Sequence, residues 1–295
     1  MVITQLIGEP ILNNFFEGFL FTVFAFFIGI ISSSLGVGGG FITTPSLIIL
    51  GINEAFAVGT VLFMIIFTAI SSTIAYSRQV NMIQYRTGLL VATTSVFGAV
   101  LGSFASSYFA VESPALFRLV FTICLIPIAI KMILYPKQRK KGTDSRSEEE
   151  IEHDEIVWFG FEKRELWCLL FGFVAGFSSG LLGIGGGVVM VPILVHLGKI
   201  PMHKAVATSM FIMIFTSTAG AVIKVGMGQV HPDLAIFLIL GIILGAQIGP
   251  LIVQRIDTVS LQKIFGGMMI IALISITVGR EQVIGFIQSF LLLFK

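Results

Sequence analysis

Long apolar runs with almost no charge recur along this chain and limit the folds that it can adopt. Hydrophobic residues make up 56% of the 295 residues and charged residues only 12%, whereas a soluble domain carries about 25% charged residues. A helix that crosses a bilayer needs about 20 mostly apolar residues. The runs that qualify are Phe15–Ser34, Ala55–Ser77, Thr87–Ala110, Pro114–Leu134, Leu166–Leu182, Ala205–Val225, Leu234–Val253 and Leu261–Val278. The predicted fold class is therefore an all-α polytopic membrane protein.

A charged segment divides the chain near its middle. It opens with four basic residues between Lys137 and Lys141 and continues to the acidic run Glu148–Glu150. It has too few apolar residues to bury a core, so we expect a flexible linker. The predicted organisation is a first transmembrane repeat (1–135), a cytoplasmic linker (136–165), a second transmembrane repeat (166–280) and an interfacial C-terminal tail (281–295).

The two halves repeat one another at a constant offset. The segment GIISSSLGVGGGFITTPSLIILG (29–51) matches GFSSGLLGIGGGVVMVPILVHLG (176–198), with six glycines and one proline aligned at an offset of 147. After a one-residue insertion, AVGT (57–60) matches AVAT (205–208). Internal repeats of this kind are common in transporter folds.

The basic residues favour inverted rather than parallel repeats. If each glycine segment turns back inside the membrane, each half crosses it an odd net number of times. The positive-inside rule then places the linker in the cytoplasm. We expect the protein to lie in the cell (plasma) membrane. The cytoplasmic side also receives Arg78, Arg86, Lys199, Lys204, Arg255 and Lys263, and the outer side receives Lys224 and Arg280. A parallel arrangement would reverse the sides of the second-half residues.

The glycine segments are candidate anion sites. Each has four glycines in five residues, at 36–40 and 183–187, followed by about ten mostly apolar residues. Ten helical residues span about 15 Å, half of the hydrocarbon core. Irregular backbone at that depth is buried in protein or lines a cavity. Adjacent uncovered N–H groups form an anion-binding concavity, and a half helix adds its positive dipole end. We therefore expect glycine-broken helix/half-helix hairpins that hold an anion near the midplane.

Hydroxyl groups beside the glycines can donate to the same anion, and one lysine can attract it. The predicted substrate-binding residues are Ser33, Ser34, Gly38, Gly39, Gly40, Thr60, Ser178, Ser179, Gly185, Gly186, Gly187, Lys204 and Thr208. The simpler interpretation of Lys204 and Lys224 is that both extend to the membrane interfaces. Other glycines, such as Gly98 and Gly245, suit close helix packing.

Several function classes find no support in the residues. No Asp or Glu lies near the middle of an apolar run, which leaves proton coupling without an evident carrier. No Ser-His-Asp, Cys-His or paired-carboxylate pattern indicates an enzyme, and no ligand cluster indicates a metal or cofactor. The net charge of +2 gives no reason to expect nucleic-acid binding. The expected partners are a small anion and the lipid bilayer, and a homo-oligomer stays open.

The paired motifs resemble the TauE/SafE sulfite exporter family, also called the sulfite/sulfonate uptake-export (TSUP) family. The resemblance rests on residues 29–51 with 57–60, and on 176–198 with 201–209, and it extends over nearly all of the chain except the linker. It implies export of sulfite or an organosulfonate such as sulfoacetate, which we expect a secondary transporter to carry by alternating access. Two alternatives stay open: a channel-like anion facilitator, and a membrane scaffold or sensor that transports nothing.

Overall fold

The computed structural model describes residues 15–112, 163–253, 255–257, 259–264 and 266–267. No strand occurs in this part of the chain, and its long helices reproduce the predicted apolar runs to within a few residues. The runs at 114–134 and, for the most part, 261–278 lie outside it, as do the C-terminal tail and nearly all of the linker. The helices are α1 (Phe15–Leu35), α2 (Gly40–Ile49), α3 (Glu54–Ser77), α4 (Tyr85–Glu112), α5 (Lys163–Leu182), α6 (Gly187–His196), α7 (Met202–Gly226) and α8 (Pro232–Val253).

Five of these helices are long and apolar enough to cross a membrane, namely α1, α3, α4, α7 and α8. The half helices α2 and α6 have ten residues each, and α5 contributes the shorter apolar stretch Trp167–Leu182. The predicted class, an all-α polytopic membrane protein with two related halves, is confirmed.

The glycine segments interrupt the helices as predicted. Between α1 and α2, Gly36, Gly38 and Gly39 have φ angles of 74°, 74° and 86°. Their counterparts between α5 and α6 also have positive φ angles, between 67° and 83°. Residues with a side chain rarely adopt this left-handed region, so the backbone path of both breaks depends on glycine.

The half helix α2 folds back along α1. Gly39, at the start of α2, lies against Ile28, whereas Ser46 and Leu50, at its far end, share a pocket with Glu17. Residue numbers along the two helices therefore run in opposite directions, which makes a helix/half-helix hairpin. In the second half, Gly198 after α6 shares a pocket with Cys168 near the start of α5, which is the same arrangement.

Helix α1 packs closely against α8. A Cβ atom added to Gly245 would meet the carbonyl oxygen of Phe26, and one added to Gly249 would lie 2.6 Å from that of Ile30. The two backbones can approach only because these positions lack side chains. From the first contact to the second, the residue number rises by four in both helices, so α1 and α8 run in the same direction.

Helix α4 packs against α5 through equivalent contacts. A Cβ atom at Gly98 would meet the carbonyl oxygen of Phe173, and one at Gly102 would meet that of Phe177. Each residue in these pairs is the partner, at the offset of 147, of a residue in the α1–α8 contact. The same helix–helix contact therefore occurs twice, each time between one helix of the first half and one of the second. Helices α4 and α5 also run in the same direction.

Helices α3 and α7 contact each other in opposite directions. Leu62 of α3 packs at Gly220 of α7. Gly59, which precedes Leu62 in α3, packs at Lys224, which follows Gly220 in α7. A second set of contacts joins α3 to α8, because the backbone N–H of His231 donates to Thr60 and the side chain of Gln247 donates to Ser71. From the first pair to the second, the residue number rises in both helices, so α3 and α8 run in the same direction.

Helix α7 runs with α4. The hydroxyl oxygens of Ser95 and Thr216 are 2.9 Å apart, and further along both helices Lys224 Nζ donates to Ser106 Oγ at 3.0 Å. Combining the contacts, α1, α3 and α8 point one way, and α4, α5 and α7 point the other.

Candidate functional site

The two glycine breaks contact each other in the centre of the protein. A Cβ atom on Gly40 would collide with the carbonyl oxygen of Gly183, and one on Gly187 would collide with that of Gly36. All four residues are buried. The chain therefore places backbone against backbone, an approach that any side chain at these positions would prevent.

Two apolar side chains cover the breaks from α3 and α7. Ile65 and Met213 both lie close to Gly38 and also close to Gly185, and their exposed fractions are 0% and 1%. They occupy equivalent places in the two halves, at an offset of 148. The surface between the breaks is consequently closed by one residue from each half.

The amide groups at the start of the half helix α2 lack hydrogen-bond partners in the described part of the chain. Among the described residues, the N–H groups of Gly39, Gly40 and Phe41 form no hydrogen bond, as expected for the first turn of a helix without a side-chain cap. Neighbouring carbonyl oxygens are occupied, because Ser209 Oγ donates to Gly36 O at 2.8 Å and Thr44 Oγ1 donates to Gly183 O at 3.0 Å. Donors without acceptors and a positive helix end favour a negatively charged ligand.

One predicted serine and one outside the predicted set flank the breaks. Ser179 Oγ is buried without a hydrogen-bond partner and lies 3.6 Å from an ideal Cβ position on Gly186. Its equivalent, Ser32, has its Oγ 3.4 Å from the same position on Gly39. The two hydroxyl groups stand beside Gly186 and Gly39, the residues that cap α6 and α2, and Ser32 Oγ also donates to Gly29 O at 3.3 Å.

The other predicted serines point elsewhere. Ser33 Oγ and Ser34 Oγ both donate to the carbonyl oxygen of Ile30, and Ser34 Oγ also reaches Gly249 O at 3.1 Å. Ser178 Oγ donates to its own helix at Val174 O from a partly exposed position. The structure therefore does not direct these three hydroxyl groups at the breaks.

The predicted threonines hold the connecting turns. Thr60 Oγ1 accepts the backbone N–H of His231 at 3.0 Å, and Thr208 Oγ1 accepts that of Gln84 at 3.1 Å. Lys204 is partly exposed in the first turn of α7, two residues before Val206, whose backbone packs against Gly36. None of these three side chains has a described contact with the free amides.

The expectation that Lys224 extends to the membrane interface is wrong. Its exposed fraction is 0%, and its Nζ donates to Ser106 Oγ at 3.0 Å, Ser107 Oγ at 3.0 Å and Gln229 Oε1 at 2.8 Å. The apolar pattern places this lysine near a helix end but does not reveal which side of the helix faces the neighbouring α4. The described residues contain no cluster that could hold a metal ion.

The architecture defines a class: a polytopic α-helical membrane protein in which two glycine-broken hairpins meet in the interior. The family described as "Sulfite exporter TauE/SafE" matches residues 21–276, and the chain belongs to this family. The chain is accordingly a membrane transporter, and the family resemblance seen in its glycine motifs is confirmed.

Relatives match over most of their length. The probable membrane transporter protein YunE of Bacillus subtilis (strain 168) is 30% identical over 271 residues, which cover 89% of this chain and 96% of YunE. The probable membrane transporter protein MJ0441 of Methanocaldococcus jannaschii is 30% identical over 253 residues, which cover 81% of this chain and 87% of MJ0441. No solved structure matches the chain.

Proposed function

We propose that this protein is a secondary transporter that exports a small sulfur oxyanion, sulfite or an organosulfonate such as sulfoacetate, through a site at the two glycine breaks. The observation that carries the proposal is the contact between the breaks, which brings the N-termini of α2 and α6 together with free amides and an unpartnered hydroxyl group. The name of the family supports a sulfur oxyanion as the substrate class.

Neutral donors are sufficient for such a site. A hydrogen bond to a charged group contributes about 1.5–3 kcal/mol, and a helix N-terminus adds about 0.3–1 kcal/mol. Several such donors can together compensate for the loss of hydration of a singly or doubly charged anion while still allowing its release. A cation would meet the positive ends of both half helices, which disfavour it.

We also propose that the two halves are inverted repeats with the basic end in the cytoplasm. The opposite directions of α1 and α5, and of α3 and α7, support this arrangement. The directions of the helices also imply which charged residues lie at which end of the helical bundle. On these directions Arg78, Arg86, Lys199, Lys204 and Arg255 lie at one end with a single described acid, Asp257. The acids Glu17, Glu54 and Asp233 lie at the other end together with Lys224. The linker is then cytoplasmic and the membrane is the plasma membrane.

Alternating access would require the side chains of Ile65 and Met213 to separate, because they close the space beside both breaks. A channel-like anion facilitator is the second candidate. It is favoured by the lack of Asp and Glu in the interior of α3, α4 and α7, which leaves no evident carrier for a coupled proton.

The test uses the purified full-length protein. Sulfite, sulfoacetate, taurine and sulfate are compared in thermal unfolding, since a ligand that binds the native state raises its unfolding temperature. The stabilising anion is then studied in proteoliposomes. For a carrier we expect uptake of labelled anion to accelerate when the same anion is loaded inside. Uptake without trans-stimulation would indicate a channel, and the absence of both binding and uptake for all four compounds would overturn the proposal.

A further inference from the structure

Lys224 is a buried cation that the glycine-break site does not use. It lies near the end of α7, with an exposed fraction of 0%, and its three hydrogen bonds go to Ser106, Ser107 and Gln229. All three acceptors are neutral side chains. The hydrogen bonds of the ammonium are therefore satisfied by groups that carry no charge.

A buried ammonium group in this position is unfavourable for folding. Taking an ammonium group out of water costs several kcal/mol even after the protein has relaxed around it, and neutral acceptors recover only part of that free energy. In the adjoining turn, burial lowers the pKa of His231 while Asp233 opposes the shift, so the histidine tends toward its neutral form. Lys224 itself lies among the neutral acceptors given above.

The first half shows that the fold does not need a cation here. Helices α3 and α7 match at an offset of 148, with Phe63, Phe67 and Thr68 identical to their partners. At that offset the partner of Lys224 is Tyr76, which is equally buried and donates its hydroxyl proton to Ser33 O at 2.8 Å. A neutral side chain thus fills the same position in one half, so structure alone does not account for the charge in the other.

A set of hydroxyl groups leads from Lys224 toward the glycine breaks. One turn further into α4 than Ser106 lies Ser103, whose buried Oγ has no partner and packs at Gly180. Gly180 directly follows Ser179, whose unpartnered Oγ stands beside Gly186. Two of the eight buried side-chain atoms without a hydrogen-bond partner in the described part of the chain therefore belong to serines between the lysine and the break.

We propose that Lys224, Ser106 and Ser107 form a second anion-binding site, where an oxygen of the transported oxyanion replaces Gln229 Oε1 before the anion passes Ser103 and Ser179 to the glycine breaks. This inference rests on the proposed function, because it assigns a second site to the same substrate. The ammonium supplies the fixed charge that attracts the anion, and the breaks hold it by neutral donors. Gln229 is partly exposed on the turn between α7 and α8, so its side chain is the acceptor that the anion displaces.

The experiment measures binding of sulfite, or of whichever of the three anions sulfite, sulfoacetate and sulfate stabilises the protein, by isothermal titration of the full chain in detergent. The variants are Lys224→Met, Lys224→Arg and Ser103→Ala, with Lys263→Met as the control that removes an exposed lysine. We expect two anions per chain in the unaltered protein and one in Lys224→Met, with transport reduced at least tenfold. Lys224→Arg retains the second site, and Ser103→Ala retains both sites but slows transport.

The unliganded unfolding temperature separates binding from a structural role. Because Lys224→Met removes a buried charge and keeps a long apolar side chain, we expect that temperature to stay the same or rise. A lower temperature with unchanged stoichiometry would show that Lys224 is structural and would overturn the inference. An equal loss in Lys263→Met would do the same. If the unaltered protein binds no anion at all, the proposed function itself fails; if it binds and Lys224→Met binds identically, only the second site fails.

Discussion

Ser178 and Ser179 are adjacent in sequence and differ completely in surroundings. Ser178 Oγ donates within its own helix from a partly exposed position, whereas Ser179 Oγ is buried beside Gly186 without a partner. Sequence alone places both within two turns of the glycines, but it does not give the rotation of α5 about its axis. The pair consequently offers a matched test of the anion site.

We expect Ser179→Ala to weaken anion binding by about 10- to 100-fold, the loss of one hydrogen bond to a charged acceptor at about 1.5–3 kcal/mol. The unliganded protein should be as stable as before, or more stable, because the substitution removes a buried group that has no partner. Isothermal titration and thermal unfolding measure the two quantities. Ser178→Ala is the control, and equal affinities in both variants would exclude Ser179 from the site.

A second residue-scale prediction concerns Gly39 and Gly186, which cap α2 and α6 with φ angles of 86° and 72°. Leucine at either position would adopt a left-handed conformation that costs about 1–2 kcal/mol and would fill the space beside the amides. We expect Gly39→Leu and Gly186→Leu to insert into the membrane but to transport nothing.

The matched control is Gly226→Leu, because an added Cβ atom at Gly226 has no neighbour within 4 Å. Transport is measured in proteoliposomes at equal amounts of monodisperse protein. Full transport by both break variants would contradict a site at the breaks.

At the scale of helices, backbones approach each other closely where α1 meets α8 and where α4 meets α5. We call these two helix–helix contacts, α1 with α8 and α4 with α5, the seams. Their glycines were predicted to serve packing. The carbonyl oxygens of Phe26 and Phe173 occupy the space that a side chain on Gly245 or Gly98 would need. The seams join the first half to the second, so each hairpin is held by a helix of the other half.

We therefore expect Gly245→Val and Gly98→Val to destabilise the protein by similar amounts, at least about 2 kcal/mol each, because overpacking forces the backbones apart. The loss should appear in the unfolding midpoint and in the yield of monodisperse protein. Gly226→Val, which has free space, should change neither, and stability equal to that of the control would show that the seams are not tightly packed.

At the scale of the whole molecule, the direction of the helices determines which turns share a side of the membrane. The turn between α3 and α4 contains Val80, with an exposed fraction of 89%, and the equivalent turn between α7 and α8 begins beside Gly226. Inverted repeats place these equivalent turns on opposite sides, and parallel repeats place them on the same side.

The corresponding prediction uses single cysteines in a background where Cys124 and Cys168 are serine. We expect Val80→Cys to react with an impermeant maleimide only from the cytoplasmic side, and Gly226→Cys only from outside. Labelling is measured on intact cells before and after permeabilisation. Reaction of both cysteines from one side would rule out the inverted arrangement.

Much of the fold and part of the site could be predicted because they depend on local properties. The length of an apolar run decides whether a helix can span a bilayer, and successive glycines permit the left-handed backbone of a break wherever they occur. The offset of 147 likewise indicated two related halves, and the free amides of Gly39 and Gly40 follow from the start of a helix.

Only the tertiary structure decided which polar groups face one another, because that depends on how each helix is rotated and which distant helix it contacts. It turned the hydroxyl groups of Ser33 and Ser34 toward α8 and that of Ser179 toward a break, and it buried Lys224 against α4. A period of 3.6 residues shows that a helix forms, but a helix surrounded by lipid and protein is apolar on nearly every side. Its functional face therefore cannot be recognised before its neighbours are known.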